Sequence, residues 1–446
     1  MRYILENLPT IHLPEDAKHP FITELIANYT FGKQWNVLYD AEPNSVYLGN
    51  YTKRDLENAE NVVSITSDGI YIAGKDYRAT MHGLITFLDK LVCDNEDSFY
   101  VECDCVRQTP LIPFRAVHLC LFPETELDFF RKCVRGCAVA KYTHIVFEFW
   151  GTLKFDCMEE LGWPFAYSKE QIKEIVAEAN ALGVEIIPMF NHLGHASASR
   201  GKHGKHVVLD QNPKYEYMFD SYGWVWKFQR EDVYELMRKI REELIDVCGK
   251  GSWFHLGCDE AFAVVQSESA TRDMSEFLNK VSDELKEKGR RGIIWHDLLL
   301  DKKDFNGYNA FATESTSKIL LDNLTRDLLL ADWQYETHKE IWKTSEKLKG
   351  CGFDVVCCPW IDTPNIRESL ETIKEHQLFG FLNTTWHTLH YGYRLMIYAG
   401  AIAYGADPKD EDLLQFYSAH VARKVMPAKG NYEKSGYTTK SVGPGL

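Results

Sequence analysis

No stretch of this chain is apolar for the about 20 residues that crossing a bilayer takes. The opening Met1-Arg2-Tyr3-Ile4-Leu5-Glu6-Asn7-Leu8 lacks the unbroken apolar centre of a signal peptide. The expectation is a soluble, cytoplasmic protein, with a removed leader as the alternative. Positive charge is in deficit as well: 50 Lys and Arg against 65 Asp and Glu leave a formal charge of −15. Such a field attracts neither nucleic-acid phosphates nor an acidic membrane surface, and a neutral or cationic substrate fits it better. The 12 cysteines contain no C-x-x-C pair, which excludes a zinc ribbon, and adjacent Cys357 and Cys358 cannot easily bridge each other. Thiols within apolar segments, such as Cys120, Cys133, Cys137, Cys248 and Cys258, read as buried and free in a reducing compartment. No short internal repeat is present.

What is there is length and an apolar share of 45% over 446 residues. That is enough for a small domain plus a barrel of about 250 to 300 residues. Residues 1–108 read as an α+β unit. Strand-like runs at 35–39, 45–48 and 69–74 precede a helix over 77–91 with Met81, Leu84, Ile85, Leu88 and Leu91 on one stripe. Beyond the proline-bounded link 109–113 the pattern alternates. Strands are predicted at 114–120, 143–149, 184–190, 252–257, 292–296, 328–333, 353–358 and 379–385. Amphipathic stretches at 169–182, 232–248, 274–288, 338–349 and 366–376 lie between them, with the weakest helix between the fifth and sixth strands. The predicted fold is α/β, a (β/α)₈ TIM barrel over 109–425 preceded by the small α+β domain. The tail 426–446 lacks periodicity and reads as irregular.

One stretch carries chemistry: Trp253-Phe254-His255-Leu256-Gly257-Cys258-Asp259-Glu260. A short apolar run with the composition of a buried strand closes on two carboxylates. Side chains alternate along a strand, so Asp259 and Glu260 can meet one ligand only where the chain is already leaving the sheet. In a parallel barrel that is the end where chemistry sits. Two close carboxyls seldom share a proton affinity, so one serves as an acid while the other stays ionised, which suits glycosidic cleavage. The plain alternative is a cap and first-turn charge on the next helix.

The full pattern His-Leu-Gly-Cys-Asp-Glu resembles the His-x-Gly-x-Asp-Glu signature of family 20 glycoside hydrolases, the β-N-acetylhexosaminidases. The resemblance extends over about residues 1–425 and assigns expectations to other strand ends. Phe114-Arg115-Ala116 is similar to the start of the family's barrel and makes Arg115 the candidate for paired hydrogen bonds to sugar hydroxyls. A salt-bridge role at the domain junction is its alternative. Asn191-His192-Leu193-Gly194-His195 looks like the family's Asp-x-Pro-Gly-His, which puts His195 beside Glu260 as a tuner of its proton affinity. Trp295, Trp333, Trp360 and Trp386 close four successive strands, and the resemblance implies an aromatic cage for a pyranose and its acetamido methyl. Any one of them alone would read as core.

This sequence also departs from the pattern. Glu148-Phe149-Trp150 stands where the family has histidine and aspartate, and Asn191 replaces an aspartate. Trp360-Ile361-Asp362 replaces Tyr-x-Asp, leaving Asp362 for a sugar hydroxyl and an indole in place of the phenol that donates to the acetamido oxygen. Trp386-His387-Thr388 lacks the usual glutamate.

The resemblance implies a retaining exo-glycosidase that hydrolyses terminal β-linked N-acetylhexosamine through an oxazolinium intermediate. Glu260 is its acid and base, Asp259 holds the acetamide, and no cofactor is required. The partner is a glycan or aminosugar; oligomeric state is not legible. Three rivals stand beside this reading. One is a hexosaminidase for a galacto-configured or 6-substituted sugar, and another is a carbohydrate-binding pseudoenzyme of the same fold. The third is a metal-dependent hydrolase using His192, His195, His203 and His206, whose plain alternative is a solvated surface loop of Gly, Lys and His.

Overall fold

The structure is a computed structural model that describes residues 1–5, 8–95, 98–197, 205–206, 209, 212–336, 340–410 and 412–426. Eight parallel strands close into a barrel in chain order. They are β1 (Phe114–Leu121), β2 (His144–Phe149), β3 (Glu185–Met189), β4 (Trp253–His255), β5 (Arg291–Trp295), β6 (Leu329–Trp333), β7 (Asp354–Cys358) and β8 (Gly380–Thr384). Closure is direct: Arg115 on β1 pairs with Phe381 on β8. All eight predicted strands are present, with ends moved by up to two residues, and the fold class is the one expected.

These strands are apolar on both faces because both faces are covered. β1 is buried at every residue. Inward-pointing Ala116, Val146, Ile187, Ile293, Leu329, Val356 and Leu382 fill the barrel. The outer face meets helices with apolar stripes, such as Glu231–Cys248, whose Val233, Met237, Ile240, Leu244 and Val247 are buried. Local signals set the helix ends. Ser168 and Gln171 form a reciprocal capping box that starts Lys169–Ala181. The helix between β5 and β6, the one weakest in sequence, is also short, Glu314–Asn323. The helix before β7 is described over Lys343–Gly350; the first predicted residues of that segment, near His338, lie outside the described residues.

Ahead of the barrel, six strands form a sheet with Ser45–Gly49, Gly69–Gly74 and Asn61–Ile65 at its centre. A second sheet of Arg2–Ile4, Ser98–Glu102 and Val92–Asn95 lies beside it. The helix Tyr77–Asp89 docks this unit beneath the barrel. The Tyr77 hydroxyl donates to the Ala181 carbonyl at 2.6 Å and Arg78 Nε to the Gly183 carbonyl at 2.6 Å, both just before β3. At the same end Phe114, Trp253 and Phe379 plug the bore with ring centroids 5.2–5.5 Å apart. The carboxyl ends of the strands are thereby left as the working face. No helix among the described residues is long and apolar enough to cross a membrane. All twelve cysteines are unpaired. The tail beyond Met426 lies outside the described residues.

Candidate functional site

β4 stops at His255, and the backbone then turns hard. Gly257, Cys258 and Glu260 have φ of 68°, 79° and 54°, a region that costs an L-residue roughly 1–2 kcal/mol. Neighbouring groups hold the turn. The Cys258 N–H donates to Asn191 Oδ1 at 2.9 Å and the Glu260 N–H to Asp297 Oδ2 at 2.8 Å. A Cβ on Gly257 would come within 2.7 Å of Asn191 Cγ, and one on Gly194 within 2.1 Å of the Asp259 carbonyl. The glycines of the two motifs therefore let the loops after β3 and β4 lie directly on each other. His195, with φ 55°, is brought over the carboxylates by that contact.

The consequence is convergence. His195 Nε2 stands 3.1 Å from Asp259 Oδ2 and 3.2 Å from Glu260 Oε2, so one imidazole bridges both acids. Burial alone would make this imidazole harder to protonate, but Asp259 and Glu260 outweigh it and raise its pKa to about 10. Asp259 is buried, which by itself favours the acid form; Lys205 and then His195 overcome that and hold its carboxyl well below the usual range. Asn191 adds a hydrogen bond from Nδ2 to Asp259 Oδ1. Its amide orientation follows from Oδ1, which accepts the N–H groups of Cys258 and Leu193. An aspartate there would face Asp259 with a like charge; the amide offers a donor. Asp297 differs from its neighbours, because burial and the Asp259 charge push it up to about 8. At neutral pH it is chiefly a neutral acid, clamped by the Glu260 N–H and by the Trp333 indole N–H at 3.2 Å. The Trp224 indole donates to the Glu260 carbonyl at 2.8 Å and packs on His195.

Beside the pair, Glu148 at the end of β2 accepts from Lys205 through Oε1, and from Trp150 at 3.0 Å through Oε2. Its Oε2 also lies 3.1 Å from His118 Nε2. With Cys120 these gather three metal-capable side chains, His118, Cys120 and Glu148, whose donor atoms lie within 4.8 Å. Lys205 already supplies a cation to Glu148 within this group, and burial plus the Glu148 charge raise the Cys120 thiol above its usual range. Among the described residues, the histidines considered for a metal do not gather. His192 is buried with Nδ1 2.7 Å from the Phe190 carbonyl and Nε2 3.1 Å from Arg241. His206 is buried against Phe190 and Trp226, and His203 lies outside the described residues.

The four tryptophans form a continuous group with Tyr335. Ring centroids are 5.3 Å apart for Trp295–Trp386 and Trp333–Tyr335, and 5.1 Å for Tyr335–Trp360. The Trp386 indole N–H donates to the Tyr335 hydroxyl at 2.5 Å. Trp295 is fully buried as the floor of the group, while Trp360 and Trp386 are half-buried. Trp360 cannot replace the expected phenol as a donor: its N–H already bonds Thr388 Oγ1 at 3.0 Å and the Thr385 carbonyl at 3.2 Å. The same bond engages Thr388, the residue that takes the place of the expected glutamate. Asp362, half-buried, is the N-cap residue of the helix Thr363–His376 after β7.

Arg115 is not brought to this site. It lies at the opposite end of β1, where Nε donates to the Lys141 carbonyl at 2.9 Å and Nη1 to Ile112 and Pro113 at 2.6 and 3.1 Å. Its guanidinium also faces the Tyr404 ring. The expectation of a sugar-binding arginine is corrected on that geometry. Lys205, Tyr335, Asp297 and Trp224 complete the cluster and were not singled out as site residues from sequence. Tyr335 and Asp297 had a usable signal, since each follows a strand-end tryptophan by two residues. Lys205 and Trp224 sit in long connections whose path no periodicity reveals.

A closed barrel that gathers two carboxylates on one imidazole after its fourth strand defines a barrel protein with a paired-acid site of the kind used in glycosidic chemistry. The model of the glycosyl hydrolase family 20 catalytic domain matches residues 151–378, just over half of the chain. The chain belongs to that family. It is 21% identical over 337 residues to a β-hexosaminidase of Emericella nidulans, covering 65% of this chain and 50% of that protein. It is 23% identical over 215 residues to the probable β-hexosaminidase fdl of Drosophila melanogaster, covering 43% and 32%. The chain thus spans half or less of the length of these curated relatives. Among solved structures it resembles the Flavobacterium johnsoniae chitobiase with a TM-score of 0.69 at 14% identity, covering 99% of this chain and 72% of that one. The family 20 β-N-acetylhexosaminidase of Streptomyces coelicolor A3(2) superposes with a TM-score of 0.66 at 14% identity, covering 95% and 93%. At such identity the likeness concerns the fold.

Proposed function

We propose that the protein hydrolyses terminal β-linked N-acetylhexosaminides with retention of configuration, using the substrate's own 2-acetamido oxygen as nucleophile. The observation that carries this reading is the single His195 imidazole held at 3.1 and 3.2 Å by Asp259 and Glu260. Asp259, kept ionised, accepts the acetamide N–H and stabilises the positive charge that grows as the amide oxygen closes on the anomeric carbon. Glu260, the more exposed of the two, gives its proton to the departing glycosidic oxygen as the C1–O bond breaks. It then takes a proton from the water that opens the oxazolinium ring and so returns to its starting form. Trp333, Trp360 and Trp386 wall the sugar ring. Tyr335 donates to the acetamide oxygen, because the Trp386 N–H fixes the phenol oxygen as an acceptor and leaves its own proton for the substrate. Asp362 takes a sugar hydroxyl, and with Thr388 engaged by Trp360 the eighth strand offers no carboxylate to outer hydroxyls. That favours tolerance of, or preference for, the galacto configuration.

The test is a panel of nitrophenyl β-N-acetylglucosaminide, β-N-acetylgalactosaminide and their N-deacetylated counterparts. Turnover is expected only with the acetamido sugars. Glu260→Gln should lower kcat/KM for alkyl glycosides about 10²–10⁴-fold and nitrophenyl glycosides less, while Asp259→Asn should slow both. Binding of a thiazoline mimic with no turnover of any sugar would establish a carbohydrate-binding protein instead.

A further inference from the structure

Family chemistry asks for an acid, a stabilising carboxylate and a histidine; it does not ask for a lysine, yet one is buried here. Lys205 is 2% exposed, forms an ion pair with Glu148, and stands 3.9 Å from Asp259 Oδ1. Its ammonium lies 5.5 Å from the Trp150 ring and 5.7 Å from the Trp386 ring. Its placement is built into the backbone. The Lys205 N–H donates to the His195 carbonyl at 2.8 Å and the His206 N–H to the Ala196 carbonyl at 3.0 Å, which ties these two residues to the loop carrying His195.

Resting on the hydrolase reading above, we propose that Lys205 is a positioning residue that joins Glu148 to Asp259 and supplies the charge that holds Asp259 as a carboxylate. The row Glu148, Lys205, Asp259, His195 then alternates in charge and ends beside Glu260. A desolvated ammonium between two desolvated carboxylates is stable only as a set, because any member left alone is an unpaired buried charge. Remove the ammonium and two buried carboxylates share one site, so one of them takes up a proton near neutral pH. A protonated Asp259 accepts the acetamide N–H only as a neutral, weaker acceptor and brings no negative charge to a cationic ring. The titratable groups around Lys205 and Asp259 are His118 and Cys120 from β1, Glu148 from β2, and His195 from the loop after β3. His206 lies beside Lys205 in sequence, and His255 comes from β4. Glu260 and Asp297 follow β4 and β5, and Tyr335 follows β6. His195 joins Lys205 as a cation with a pKa raised by these carboxylates, and burial lowers the proton affinity of His206 and His255.

The test compares the full-length protein with Lys205→Met, Lys205→Arg and the double variant Glu148→Gln/Lys205→Met. Lys205→Met should move the acid limb of the kcat/KM profile up by about one pH unit or more and cut kcat at pH 7 about tenfold, with KM changed by less than about threefold. Lys205→Arg should keep most of the wild-type profile. The double variant removes one charge of each sign and should bring the acid limb back toward wild type. A double variant as impaired as the single, or a Lys205→Met profile that matches wild type, overturns the proposal. A second readout needs no substrate. Asp259, observed by carboxyl-carbon NMR in protein labelled at aspartate and assigned with Asp259→Asn, should titrate at higher pH in Lys205→Met than in wild type. An unchanged titration in an active enzyme refutes the role of Lys205. A changed titration in a protein that cleaves none of the sugars refutes the hydrolase reading and leaves the charge bridge intact.

Discussion

Replacing His195 with phenylalanine tests the centre of the site, because the ring keeps its place beside Trp224 while the bridge between Asp259 and Glu260 is lost. The size of the effect can be reached from two sides. His195 is held to about 10 from an ordinary value of 6.5, and at about 1.4 kcal/mol per pH unit this corresponds to roughly 4–5 kcal/mol. Breaking a buried ion pair by deleting one partner costs about 3–5 kcal/mol. The two figures describe one interaction and are not to be added. Its pH dependence has a definite sign. A group whose proton affinity rises on folding stabilises fully below its unfolded value and loses that contribution as pH climbs through its folded value. The wild type should therefore exceed His195→Phe by about 3–5 kcal/mol near pH 6, and the gap should close between pH 6.5 and about 10. Unfolding entropy of about 2.1 cal/mol/K per residue gives ~0.9 kcal/mol/K for a chain of this length, so the gap near pH 6 is about 3–5 °C in Tm. The assay is thermal unfolding of both proteins from pH 6 to 10, followed by circular dichroism. A Tm difference under about 1 °C, or one that stays constant to pH 10, would show that the imidazole is not held as a cation between the two acids.

Tyr335→Phe removes the phenol proton but keeps the ring between Trp333 and Trp360; kcat/KM should fall about 10–100-fold, whereas Trp360→Phe should cost less than about fivefold in kcat, since its N–H is already engaged by Thr388. Equal effects of the two variants would refute Tyr335 as the acetamide donor. Arg115→Met should destabilise the fold by about 2–4 kcal/mol, because two buried carbonyls and a part-buried one lose a charged donor. KM should stay within about threefold of wild type, and a tenfold rise in KM without loss of Tm would return Arg115 to the substrate.

Periodicity and local chemistry made much of this protein legible in advance. The eight strands are apolar runs because both their faces are buried, and that burial is a property of the run itself rather than of its neighbours. The adjacent Asp259 and Glu260 marked the end of a strand. What no local signal carried was direction and distance. Arg115 and His118 are three residues apart on one strand, yet one braces the base of the barrel and the other faces Glu148 near its mouth. Chain direction separates them along the strand, but only the folded structure shows the Arg115 guanidinium engaged by the Lys141, Ile112 and Pro113 carbonyls. Trp360 carries an indole donor at the place of the phenol, but Thr388, 28 residues on, holds its N–H. Lys205 comes from a connection with no regular pattern. The sequence by itself determined the barrel, the strand that carries the two acids and the histidine that meets them. The tertiary structure decided which charges balance those acids and which phenol stands among the indoles, because such contacts join residues far apart in the chain whose proximity exists only once the barrel has closed.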